Sequence, residues 1–161
     1  MQTIHRGRPN LGNVLGLVAG ALLLSSAAVQ AGECPADQVG VDVTLPGAEA
    51  NAGATDMVLA SIDLGEQATD LPDHKFRMRQ IEIEPDGEVA WQSHDERPAI
   101  IYIISGEMTE YRSTCGVPIV HKTGEVAAEV KGDSHWWKNT GGDKAVLISA
   151  DIVHDPSDKN M

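Results

Sequence analysis

Six histidines stand in this chain of 161 residues, and two of them sit in segments whose residue types suit chemistry. His94 follows Gln92 with one residue between them, so strand alternation would put both side chains on one face. The same alternation from His135 turns Trp137 and Asn139 inward and Trp136 outward. Imidazole is the commonest side-chain metal ligand, so the two histidines His94 and His135 are the ones to weigh first. Trp137 would give a cavity an aromatic wall, although a plain core tryptophan fits the same pattern. Asn139 is more simply a turn-stabilising hydrogen bonder. His74 and His121 have charged neighbours and are expected in solvent, and His154 ends the last expected strand. Ser61, Ser105 and Ser149 have no acid or base at an informative spacing, which leaves Ser-His-Asp hydrolysis without support.

The spacing of the two segments narrows this. The first runs from Gly87 through Gln92, His94 and Ala99 to Gly106, and the second from Gly124 through Val130, Gly132 and His135 to Asn139. This resembles the cupin superfamily, whose paired motifs read roughly G-x5-H-x-H-x3/4-E-x6-G and G-x5-P-x-G-x2-H-x3-N. The second motif fits at every named position except Val130, which replaces Pro. The first departs at Gln92 where a His is expected, at Ala99 where the Glu is expected, and at Gly87, one residue too close. The resemblance spans about Ile81 to Ile152.

That resemblance implies an all-β fold, a single-domain β-barrel of the jelly-roll or double-stranded β-helix kind. It also implies one divalent metal ion (Fe, Zn, Mn or Ni) with His94 and His135 as retained ligands. Gln92 could add a carbonyl oxygen as a neutral third ligand. Two imidazoles and an amide bring no charge to offset the ion, so a nearby acid would improve the site. Glu129, beside Val130, is the nearest in the second motif, and Asp95 and Glu96 follow His94, although acids at such positions more often face solvent. Trp137, Asn139 and Ile101 are the expected pocket lining.

The elements that must position these residues are strands. Residues 56–155 hold many short β-patterns with turns at glycines, and no amphipathic run long enough for a helix follows the leader. Phe76 and Met78 share one face while Ile81 and Ile83 share the other, so a bulge near Arg79 or Gln80 is expected to bring all four inward. Pro85-Asp86-Gly87 reads as a turn in which Gly takes the positive φ. Ile100, Tyr102 and Ile104 alternate with Ala99, Ile101 and Ile103, so both faces of that strand are apolar. The outer face needs cover, and a second copy in a homodimer is the simplest. Residues 32–55 read as an N-terminal arm with at most one edge strand, Val41 to Leu45, and residues 156–161 as a tail.

Residues 1–31 read as a signal peptide. Arg6 and Arg8 precede a small-and-apolar run from Val14 to Leu24, and Val29-Gln30-Ala31 is an A-x-A-like cleavage site. A periplasmic or secreted location follows, with no membrane span in the mature chain. The net charge is −12, and removing two arginines and no acid takes it to −14. So acidic a chain is repelled by phosphates, which excludes nucleic acid as a natural partner. Cys34 and Cys115 are the only cysteines, and in an oxidising compartment they are expected to pair, worth up to about 4.5 kcal/mol by loop closure. Two functions stay open: a metal-binding cupin with oxygenase- or isomerase-type chemistry on a small molecule, or a non-catalytic module that binds a small molecule or a protein with its metal site decayed.

Overall fold

Alternation of apolar and polar residues governs almost every element in the computed structural model, which describes residues 32–40 and 47–154. The eight strands are β1 (Ala52–Asp63), β2 (Lys75–Ser93), β3 (Ala99–Ser105), β4 (Glu107–Arg112), β5 (Ile119–Lys122), β6 (Val126–Glu129), β7 (Ser134–Lys138) and β8 (Ala145–Val153). They pair antiparallel in the order β5-β4-β7-β2-β8-β3-β6, with β1 added along β2. The result is a nearly closed jelly-roll barrel, the expected fold class. Among the described residues no helix is long and apolar enough to cross a membrane. The expected leader, the Val41–Leu45 run and the tail lie outside the described residues.

β2 is the strand around which the barrel turns. Its first half pairs with β8, from Lys75↔Val153 to Ile83↔Ala145, and its second half pairs with β7, including Gln92↔His135. The bend between the halves sits at the expected Pro-Asp-Gly turn, but Asp86 and not Gly87 takes the positive φ, at 63°. Gly87 is needed for space: a Cβ there would stand 2.7 Å from Ile83 Cγ2 and 2.8 Å from the Glu84 carbonyl oxygen. Asp tolerates the left-handed region better than most residues, which lets the neighbours divide the two tasks.

Inside, Ile81, Ile83, Val89, Ile101, Ile103, Met108, Trp137 and Leu147 form the apolar core. The expected bulge in early β2 does not occur on the β8 side, where pairing runs without a shift from Lys75 to Ile83. Phe76 and Met78 are therefore exposed, and Arg77 and Arg79 point inward with Ile81 and Ile83. Unbroken period-two geometry wins because Asp151 on β8 meets both guanidiniums, so no apolar residue has to displace them.

Trp136 points outward as expected, yet it is covered there, and the expected solvation of His121 is corrected. Trp136 is buried, because its outward face stacks on Tyr111 at 4.1 Å and Gly47 of the arm packs against its ring. His121 is also buried, held by Glu110 on the adjacent strand. β1 begins at Ala52, within the stretch read as arm. The disulfide joins Cys34 to Cys115 with their Cα atoms 5.8 Å apart, fastening the arm to the loop after β4.

Candidate metal centre

His94 ends the run that begins at Gln92, and the alternation of β2 directs both side chains into the barrel. His135 arrives from β7 directly opposite Gln92. Glu129 arrives from β6, where its register partner is Ala99 on β3. The carboxylate missing from residue 99 is thus offered by its cross-strand neighbour, whose side chain lies on the same face. All three of His94, His135 and Glu129 are buried, and their ligand atoms converge. His94 Nε2 lies 2.9 Å from His135 Nε2 and 3.0 Å from Glu129 Oε2, and His135 Nε2 lies 3.2 Å from Glu129 Oε1.

The outer partners of the rings fix their tautomers. His135 Nδ1 is 2.6 Å from Glu110 Oε1, and His94 Nδ1 is 2.7 Å from the Arg97 carbonyl oxygen. Both partners can only accept, so both Nδ1 atoms carry the proton and both Nε2 lone pairs face the carboxylate. The donors beside these three acceptors, the Gln92 amide nitrogen and Trp137 Nε1, turn to His135, and Glu129 Oε1 has no hydrogen-bond partner among the described residues. A cation resolves that arrangement. Neighbouring ligands on an ion with bonds of 2.0–2.1 Å stand about 3 Å apart at right angles, which is the size of this triangle.

Without a metal, a proton is the available cation. Burial opposes charge on His135, but Glu129 and Glu110 outweigh it and raise its pKa above the ordinary histidine value. Glu110 shows the converse: burial would raise it, yet hydrogen bonds from His121 and His135 and the charge of Arg112 hold it well below the usual carboxylate range. Arg112 donates to both Glu110 oxygens, at 2.6 and 2.9 Å, and His121 Nε2 stands 2.9 Å from Oε2.

Gln92 is buried beside the triangle, but its Oε1 accepts from Arg97 and its Nε2 is 3.2 Å from His135 Nε2. The amide thus presents nitrogen, not oxygen, to the centre. Ile101 and Trp137 line the small cavity next to His94, together with Arg79, Glu129 and Ser149. That cavity has room for about one water molecule. Asn139 does not line it; its amide donates to the carbonyls of Ile83 and Asp143, both at 2.9 Å, tying the β7–β8 turn to β2. Asp95 and Glu96 are exposed.

Sequence reading missed Glu110 and the arginine cluster. Glu110 carried a usable signal, since it alternates with Met108 on a strand whose inner face is buried. The cluster is Arg77, bidentate on Asp151 at 3.0 and 2.9 Å, with Arg79 at 3.0 Å and Arg97 at 3.6 Å from the same carboxylate. Arg79 also reaches Asp56 on β1 at 2.7 Å.

The geometry has a parallel in sequence. Residues 79–151 match the sequence model of the family described as Cupin domain. This chain carries a cupin domain. Among solved structures, the cupin is similar to a double-stranded β-helix protein from Klebsiella pneumoniae, with 18% identity and a TM-score of 0.50 over 70% of this chain and 84% of that one. It is also similar to the polyketide cyclase RemF from Streptomyces resistomycificus (22% identity, TM-score 0.49, 71% and 74% covered). The Schizosaccharomyces pombe Cnp3 cupin domain shares 14% identity at a TM-score of 0.43, and the match spans 50% of this chain and 65% of that one, just under two thirds. At these identities the likeness speaks for the fold. Among curated proteins no sequence matches.

Proposed function

We propose that this cupin is an exported protein that holds one divalent metal ion through His94, His135 and Glu129, and acts on or binds a small molecule there. The observation that carries the reading is the convergence of three buried acceptor atoms whose remaining protons are already committed to Glu110 and to the Arg97 carbonyl. Two imidazoles and one carboxylate on one side of an ion suit iron(II) and also accept manganese, nickel or zinc. An ion in such a site supplies Lewis acidity and open positions for oxygen ligands, which fits oxygenase- or isomerase-type chemistry. Around it, Glu110 orients His135, Arg97 holds Gln92 away from coordination through oxygen, and Trp137 with Ile101 keeps the site dry. Elemental analysis of mature protein from its own compartment tests the reading. We expect about one metal per chain, lost when His94→Ala and His135→Ala are combined; equal metal in both proteins would sink it.

One observation favours a non-catalytic binding module instead: the cavity admits about one water, so an organic ligand requires the barrel to open. Full metal content without turnover of any small oxygenated substrate would favour that reading.

We propose that the partner on the outer face is a second copy. Ile100, Tyr102 and Ile104 are 57%, 44% and 43% exposed. Across the ladders they adjoin Ala150, Ile148, Val126 and Ala128, and on β2 the patch continues through Phe76 and Met78. Sedimentation at micromolar concentration should give a dimer, and Tyr102→Glu should shift it toward monomer by placing an unpaired charge in the contact. A wild-type monomer contradicts the proposal.

A further inference from the structure

Behind His135, away from the ion site, a row of hydrogen bonds runs outward through Glu110 to His121 and stops there. Because Glu110 can only accept, His121 Nε2 carries the proton in their 2.9 Å bond, and Nδ1 is left as a bare lone pair. That Nδ1 is buried and has no hydrogen-bond partner among the described residues. A second acceptor lies beside it: Glu125 Oε2, which receives one bond from the Lys122 N–H at 2.8 Å.

Both acceptors face the same residue. A Cβ on Gly32 would stand 3.1 Å from His121 Nδ1 and 3.2 Å from Glu125 Oε2, and Gly32 is buried there with φ at +89°. Only glycine fits so tightly in that backbone conformation. Its nitrogen is bonded to the same Cα, so turning about the Cα–C bond, which cleavage before Gly32 would free, carries that nitrogen toward the probed position beside both acceptors. Cys34, two residues on, is fastened to Cys115, which holds Gly32 against the barrel. Gly32 is also the residue that follows the A-x-A-like cleavage site.

We infer that this pocket is the seat of a processed amino terminus: cleavage between Ala31 and Gly32 frees an α-ammonium group that docks on Glu125 and donates to His121 Nδ1. The inference rests on the signal-peptide reading and is independent of the metal. Peptide hydrolysis consumes one water and converts a backbone N–H, with one donor, into an ammonium with three. The unmatched His121 Nδ1 and the Glu125 carboxylate, which can accept beyond its one bond from Lys122, then meet a charged donor, and such charge-assisted bonds are the stronger kind. Docking would complete the row behind His135, so processing and the orientation of a ligand ring share one set of contacts.

The test compares three forms of the protein: the chain starting at Gly32, the same chain acetylated at its terminus, and a chain with one alanine added before Gly32. Intact mass of the exported protein should place its first residue at Gly32. NMR titration of the Gly32 nitrogen should give a pKa about one unit above the ordinary α-amino range of 7.7–8.0, because the charged form gains a carboxylate partner. Glu125→Gln should return it to that range while leaving the barrel folded, since Glu125 is half-buried outside the strands and the amide oxygen can still accept from Lys122. The acetylated and extended forms should melt several degrees lower. An exported chain that starts anywhere else, or an amine that titrates in the ordinary range, overturns the proposal whatever the melting temperatures do.

Discussion

The barrel buries charge in two adjoining places and balances it in opposite ways. Around Asp151, three guanidiniums share one carboxylate, and Asp56 takes part of Arg79, so donors outnumber acceptors and every oxygen is used. Around His94, acceptors meet acceptors, and one carboxylate oxygen is unmatched. The first cluster finds its counter-charge within the chain, leaving only Arg79 Nε without a partner among the described residues, and locks β2 to β8. The second is complete only with a cation. Burial of polar groups alone therefore does not mark a binding site; the sign of the imbalance does.

The comparison breaks most visibly at Asp151. Asp151→Asn keeps the shape but removes the charge of the carboxylate that Arg77, Arg79 and Arg97 share, and loss of one partner from a buried pair costs about 3–5 kcal/mol. Chemical denaturation should show that loss whether or not metal is present. A change below about 1 kcal/mol would mean that the arginines draw their balance from elsewhere.

Glu129→Ala should act the other way, sparing the fold and lowering divalent-metal affinity by about 100-fold, roughly 2.7 kcal/mol. Adding Ala99→Glu should recover at least about tenfold of it, because residues 99 and 129 face each other across the β3–β6 ladder and the pair exchange conserves volume. Calorimetric titration with Co²⁺ or Zn²⁺ measures both, and a double variant no better than the single one would show that position 99 does not reach the ion.

Gln92→His should raise affinity by about tenfold, or roughly 1.4 kcal/mol, by replacing an amide held by Arg97 with an imidazole on the same face. The gain should vanish with His135→Ala. If it persists, the two residues do not share an ion.

The smallest expected effect is on pH. In the metal-free protein the His135 pKa is raised, so the proton it holds contributes stability that is fully present below the unfolded value of about 6.5 and is lost as pH rises through the folded value. Metal must displace that proton. Its affinity should climb by up to about tenfold per pH unit below the folded pKa and level off above it. A pH-independent affinity would place the ion away from His135.

Most of the fold could be read from alternation and glycine spacing, since these are local, and β3, β5, β6 and β8 obey them, whereas a register shift between Val89 and Gln92 turns both inward. The failures came where burial depends on a partner far along the chain. Phe76 and Met78 look like core by hydrophobicity, but Asp151 makes it cheaper to bury Arg77 and Arg79. His121 looks solvated beside Lys122, yet Glu110 on the paired strand holds it inside. Trp136 alternates outward as expected and is covered by Gly47, a contact that no pattern near Trp136 encodes. For the centre, His94 and His135 stand out by spacing, whereas the inward direction of Glu129 follows from its register opposite Ala99.

That register has a consequence for how such proteins are compared. An alignment column at residue 99 records an alanine and scores a ligand as deleted, while the column at residue 129 records an acid with no assigned meaning. In space the two columns are one address, reached from either rail of the same ladder. Motifs for barrel sites are therefore better written over strand pairs than along the chain, and a scan that allows the carboxylate to sit on either rail would keep as metal candidates chains that a linear pattern discards.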